Sequence, residues 1–215
     1  KTKIILIANP NNPTGSYFSN NKLFSLLKSV PKNCLIVLDQ AYEEYLPANE
    51  IIPLKKWLNS FENIIVMRTF SKAYGLAAFR VGWGAASSNI IEKINRIRQP
   101  FNVNLFGLHL ARHALIDQSF IKKTVRFNKI NIEKIEKFLF ETNITFISSK
   151  ANFVTFYYFQ SQELNRYFME NGLIVRPLDS YGLKNFIRVS IGTTKENNFF
   201  MKLLEKFLKK NEQKN

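Results

Sequence analysis

A chain of 215 residues that is 46% hydrophobic and 14% aromatic can bury one large core or two small ones. It contains no apolar run approaching the eighteen or so residues of a membrane span, which argues against a membrane partner. The formal charge of +15 comes from 31 Lys and Arg against 16 Asp and Glu. The lysines are scattered, dense only over 206–214, and no nucleic-acid motif accompanies them, so nucleic acid is not expected either. One cysteine, Cys34, precludes an internal disulfide and fits a reducing, cytoplasmic setting; opening an apolar run, it reads as a buried structural thiol.

Ile4-Ile5-Leu6-Ile7-Ala8 is too short for a signal-peptide core and reads as a strand buried on both faces of a parallel sheet. Asn9-Pro10-Asn11-Asn12-Pro13-Thr14-Gly15 is a dense turn cluster. Ser19 is a candidate N-cap for a helix with Leu23, Leu26, Leu27 and Val30 on one face, ended by Pro31. Leu35-Ile36-Val37-Leu38 is a second buried strand, closed by Asp39-Gln40-Ala41-Tyr42. A short helix near 54–60 leads to a third, Ile64-Ile65-Val66-Met67. This alternation predicts right-handed crossovers and a mainly parallel, doubly wound sheet.

In such sheets ligands bind beyond the carboxyl ends of the strands. The three strands deliver an amide (Asn12), a carboxylate (Asp39) and an amine (Lys72) to that edge. The third runs into Thr69-Phe70-Ser71-Lys72-Ala73-Tyr74-Gly75-Leu76, with Arg80 eight residues beyond Lys72. A lysine so placed can attack carbonyl groups, and an arginine there can hold an anion; Lys72 could equally be one surface lysine among many. Phe70, Leu76 and Phe79 read as packing residues.

Val81-Gly82-Trp83-Gly84-Ala85 follows without an intervening helix and is expected to run antiparallel. An amphipathic helix over 90–97, an interruption at 98–104, and long helical patterning through Leu139 come next. His109 and His113, one helical turn apart with no third ligand in view, read as solvated or packed rather than metal-binding, so no metal is expected. Short strands at 144–147, 153–157, 174–176 and 186–191, a helix over 163–170 with Gly172 as its cap, and a closing helix over 196–209 form a second pattern. The expected domains are 1–97, a helical connector at 98–142, and a small α+β domain at 143–215.

Asn-Asn-Pro-Thr-Gly at 11–15, Asp-x-Ala-Tyr at 39–42, Thr-x-Ser-Lys-x-x-Gly at 69–75 with Arg80, and Ile-Arg-Val-Ser-Ile-Gly at 187–192 occur in that order. Together they resemble the motif series of the fold-type-I, pyridoxal-phosphate-dependent class I/II aminotransferases. Arg-Gln-Pro-Phe-Asn-Val-Asn at 98–104 and Val-Arg-Pro-Leu at 175–178 resemble the histidinol-phosphate aminotransferase branch. The resemblance implies an α/β fold of the aspartate aminotransferase type, with part of a mainly parallel large-domain sheet and a C-terminal α+β domain. It also implies a transaminase in histidine biosynthesis, active as a homodimer on histidinol phosphate and 2-oxoglutarate. Threonine-phosphate decarboxylation, aromatic transamination, or an inactive or merely binding piece are the alternatives.

The resemblance carries roles to individual residues. Lys72 holds the aldehyde of pyridoxal 5'-phosphate and later serves as base. Asp39 keeps the ring nitrogen protonated. Asn12 and Tyr42 donate to the phenolic oxygen; Ser71 and Arg80, with Thr69, take the phosphate. Arg188 and Arg176 receive the substrate anion, where two guanidinium groups suit a phosphate ester better than one carboxylate. The resemblance begins in mid-domain, so the chain is expected to be a fragment whose sheet leaves unpaired edges and exposed apolar faces.

Overall fold

The structure is a computed structural model that describes residues 1–212; Lys214, the last lysine of the basic tail, lies outside them. The chain forms two compact units, one of residues 1–11 and 17–125, the other of 12–16 and 126 onward.

In the first unit, strands β1 (Ile4–Ala8), β2 (Leu35–Asp39), β3 (Ile64–Thr69) and β4 (Gly82–Ala86) lie side by side in that order. β1, β2 and β3 run parallel, linked by helices α1 (Asn20–Ser29) and α2 (Leu54–Ser60). β4 is antiparallel to β3, as the missing crossover helix requires. It approaches closely because Gly82 has no side chain: a Cβ there would lie 2.7 Å from the Arg68 carbonyl oxygen.

Leu23 and Leu27 of α1 and Trp57 of α2 pack with Ile36, Leu38, Ile64 and Val66 into this unit's main core. Strand alternation turns the neighbouring residues to the other face. There Leu6 is 77% and Met67 45% exposed. The continuous apolar run of β1 therefore does not mean burial on both faces; the expectation of an exposed apolar face is the one realised. Ser19 occupies the N-cap of α1 but makes no side-chain cap bond. Instead Glu50 Oε2 accepts from the Asn20 amide at 3.0 Å, a carboxylate at the positive end of a helix.

Helices α3 (Ser88–Ile97) and α4 (Leu105–Ile116) follow, then the long α5 (Gln118–Glu141). The division between units falls inside α5, rather than setting 98–142 apart as a connector. Packing explains this. Ala111 of α4 sits with Phe70 and Val81 in the first unit, whereas Ile132, Ile135 and Leu139 of α5 belong to the core of the second.

The second unit holds an antiparallel sheet in the order β5 (Phe146–Ile147), β6 (Phe153–Tyr157), β8 (Phe186–Ser190), β7 (Arg176–Pro177). Val154, Phe156, Ile187 and Val189 join α5, α6 (Ser161–Glu170) and α7 (Thr194–Glu212) in a Phe-rich core. α6 is capped by Asn171, with Gly172 one residue later at φ +77°, a conformation that favours glycine. The other face of β6 and β8 carries Thr155 and Arg188, register partners, and against it lies the 12–16 loop. Thr155 Oγ1 donates to the Pro13 carbonyl at 2.6 Å, the Lys150 amide donates to the Gly15 carbonyl at 2.8 Å, and Gly15, at φ +74°, abuts Ser149. Among the described residues no helix is long and apolar enough to cross a membrane.

Candidate active site

β2 ends on Asp39 and β3 on Thr69, so both strands present polar groups at their carboxyl edge. Asp39 is exposed; its Oδ1 accepts from the Ala41 amide at 2.9 Å, a local turn that leaves the second carboxylate oxygen for other partners. Gln40 donates its amide to the Met67 carbonyl at 2.8 Å, which holds the segment after β2 to β3. Tyr42 is buried. The Lys72 Nζ lies 5.3 Å from the centroid of its ring.

Lys72 stands in a tight turn. The Gly75 amide donates to the Lys72 carbonyl at 2.9 Å and the Leu76 amide to the Phe70 carbonyl at 2.9 Å, with Gly75 at φ +71°. Thr69 Oγ1 accepts from the Ser71 amide at 3.1 Å, so this hydroxyl shapes the turn. Arg80 has a left-handed backbone, φ 53°, unusual for a side chain of its size. Its Nη1 donates to the Ala77 carbonyl at 2.8 Å and reaches Ser71 Oγ at 3.4 Å. A guanidinium beside a hydroxyl is a pairing suited to phosphate.

The turn is braced from a place sequence reasoning passed over. Asn104 caps α4 by accepting from the Gly107 amide at 2.7 Å, and its Nδ2 donates to the Phe79 carbonyl at 2.8 Å, next to Arg80. An asparagine just before a helix was the available signal. Arg68 and Glu43 were also missed; they form a buried ion pair, and a charged residue inside an apolar strand was the clue.

Buried carboxyls crowd this region. Burial raises Glu43 above its ordinary range despite the opposing pull of Arg68. Burial, assisted by the charge on Glu43, lifts Glu44 to about 7. Tyr74 and Tyr45 are raised as well, by burial first and then by Glu44.

Asn12 belongs to the second unit, where its Oδ1 accepts from Arg188 Nη1. The Arg188 guanidinium stands 4.9 Å from the Phe153 ring centroid, and that of Arg176 stands 5.9 Å from Tyr181. The two arginines are register partners on β8 and β7. Arg176 is exposed and Arg188 half-buried. The structure thus brings Lys72 to Tyr42, Ser71 to Arg80, and Asn12 to Arg188. Elsewhere, the His109 and His113 ring centroids lie 4.5 Å apart with their planes tilted by 60°, and among the described residues no three His, Cys, Asp or Glu side chains gather as metal ligands.

An amine beside a phenol, a carboxylate on the adjoining strand end and a hydroxyl–guanidinium pair form a donor set that fits a phosphorylated aldehyde on a basic ring. Comparison with known proteins points the same way. The histidinol-phosphate aminotransferases 1 of Idiomarina loihiensis and Dechloromonas aromatica are 41% and 42% identical over 207 residues, covering 96% of this chain. The chain spans only 56% and 57% of their lengths. The histidinol-phosphate aminotransferase of Sinorhizobium meliloti, solved in complex with pyridoxal-5'-phosphate, superposes with a TM-score of 0.83 at 26% identity, covering 95% of this chain and 58% of that one. That of Clostridium acetobutylicum gives 0.86 at 24% identity, with 95% and 64% covered. The profile of aminotransferase class I and II matches residues 1–202, and the chain belongs to that family.

Proposed function

We propose that this chain serves a pyridoxal-phosphate-dependent transamination in the cytoplasm, with histidinol phosphate as amino donor and 2-oxoglutarate as acceptor, in a protein that works as a homodimer. The reading rests on the Lys72 amine, 5.3 Å from the Tyr42 ring at the edge where Asp39 ends the adjacent strand. When bound, the cofactor supplies an aldehyde that takes up the donor amine and a cationic ring that withdraws electrons. Lys72 Nζ would hold that aldehyde and, once displaced, take the proton from the donor's α-carbon. Asp39 would keep a proton on the ring nitrogen through its charge. The Tyr42 hydroxyl and the Asn12 side-chain amide would donate to the phenolic oxygen. Ser71 and Arg80 would hold the phosphate; Thr69, whose Oγ1 accepts from the Ser71 amide, would contribute by fixing Ser71 and by its remaining donor. Arg188 and Arg176 would orient the phosphate ester of the donor.

Borohydride reduction of the chain with pyridoxal phosphate, followed by peptide mapping, tests the cofactor assignment. The label is expected on Lys72 and absent from Lys72→Arg; a label on any other lysine refutes it. Assaying histidinol phosphate, threonine phosphate and phenylalanine as donors then tests the substrate, with turnover of either of the latter two alone overturning that part.

A further inference from the structure

We propose that Arg68 and Glu43 are positioning residues for the candidate site: their buried ion pair fixes the Tyr42 segment to the strand end that carries Lys72. The inference rests on the reading of Lys72 and Tyr42 given above.

Arg68 follows directly on the apolar run Ile64-Ile65-Val66-Met67 of β3, and its side chain is only 16% exposed, that of Glu43 4%. Arg68 Nη2 donates both to Glu43 Oε1 and, at 3.2 Å, to Oε1 of the fully buried Gln40. Its guanidinium lies 5.2 Å from the ring centroid of Trp83, on β4. One side chain on β3 therefore grips the segment after β2 at two points and rests on β4. The chain distances are short in both directions. Glu43 directly follows Tyr42, and the Leu46 amide closes a turn on the Glu43 carbonyl at 2.9 Å. Arg68 precedes Lys72 by four residues, and the intervening backbone is held by the Thr69–Ser71 and Phe70–Leu76 hydrogen bonds. A shift at Glu43 thus reaches the phenol through one peptide, while Lys72 stays fixed to β3.

Energetics favour orientation over stability as the role. Desolvating two charges offsets most of their attraction, so a buried pair adds little net stability relative to a well-packed apolar pair. Breaking it by removing one partner leaves an uncompensated buried charge. β3 is held by strands on both sides, whereas the turn bearing Tyr42 lies outside the sheet, so the turn is the part expected to shift.

Reductive ¹³C-methylation of the lysines gives a readout independent of cofactor and activity. The Lys72 dimethylamine resonance, identified by its loss in Lys72→Arg, is expected upfield of the exposed lysines because of the Tyr42 ring, and Tyr42→Leu should return it to their envelope. In Glu43→Gln, and in the double variant Arg68→Met/Glu43→Met, the displacement should fall below half of its original size. Far-UV circular dichroism should stay unchanged, and the urea midpoint of the double variant should equal or exceed that of the parent. An unchanged Lys72 resonance in either folded variant overturns the proposal. So does failure of both variants to fold, which would make the pair a stability element. Borohydride labelling of the parent chain keeps the two readings apart: if Lys72 takes no label, the cofactor reading fails, yet the resonance still decides the positioning role.

Discussion

Replacing Glu44 by Gln should stabilise the first unit increasingly as pH rises. Burial holds the Glu44 carboxyl at about 7, against an ordinary value of 4.5, so the folded chain keeps its proton where the unfolded chain has lost it. The sign follows from proton linkage. A group whose affinity is raised on folding contributes stability at low pH, and that contribution drains away as pH climbs from 4.5 through 7. At 1.36 kcal/mol per tenfold change in proton affinity, the penalty on the parent is about 1 kcal/mol at pH 5 and about 3 kcal/mol at pH 8. Gln matches the neutral acid in shape and does not titrate. The variant should therefore gain about 2 kcal/mol on the parent between those two pH values. Trp57 and Trp83, the only two tryptophans, both lie in the first unit, so urea titration followed by tryptophan fluorescence reads that unit selectively. A stability difference between variant and parent that is the same at pH 5 and pH 8 would refute the reasoning.

Arg80→Gln should weaken pyridoxal phosphate binding about 10- to 100-fold, as expected for loss of one charged hydrogen bond, and leave pyridoxal, which lacks the phosphate, nearly unaffected in a spectroscopic titration. Asn104→Ala removes both the α4 cap and the bond to the Phe79 carbonyl, and should cost about 1–2 kcal/mol in a urea titration read by tryptophan fluorescence. Thr155→Val should free the Pro13 carbonyl and speed amide exchange at Lys150 about 5- to 30-fold, whereas Thr155→Ser should not. Gly15→Ala should disrupt the same loop more severely, because the new Cβ would lie 2.3 Å from Ser149 Oγ at a backbone φ of +74°; the Lys150 amide would again report it.

The apolar runs beginning at Ile4, Leu35 and Ile64 marked the strands because continuous hydrophobicity bounded by turn residues is a strand pattern, although in β1 it did not report how deeply the strand is buried. The antiparallel sense of β4 was legible from the missing helix. Lys72, Ser71 and Arg80 were legible as a group because one turn holds them, within nine residues of one another in sequence. What depends on register across distant segments was not. Nothing near Thr155 foretells its bond to Pro13, 142 residues away, and nothing near Asn12 says that its loop is counted with the second unit. Pairing of Arg68 with Glu43 likewise needs the β2–β3 alignment. The cap of α1 misled for a related reason: Ser19 has the right chemistry, but a carboxylate thirty residues off in sequence reached the helix end instead.

Because residues 12–16 are stitched into the second unit while their flanks are not, that unit is discontinuous along the gene. A clone starting at Arg126 would omit the strip that meets Thr155, Lys150 and Arg188, stripping a buried hydroxyl of its acceptor. Anyone dissecting the protein into halves should therefore graft the Asn12–Ser16 peptide back, or supply it in trans, before judging what the C-terminal half can do unaided.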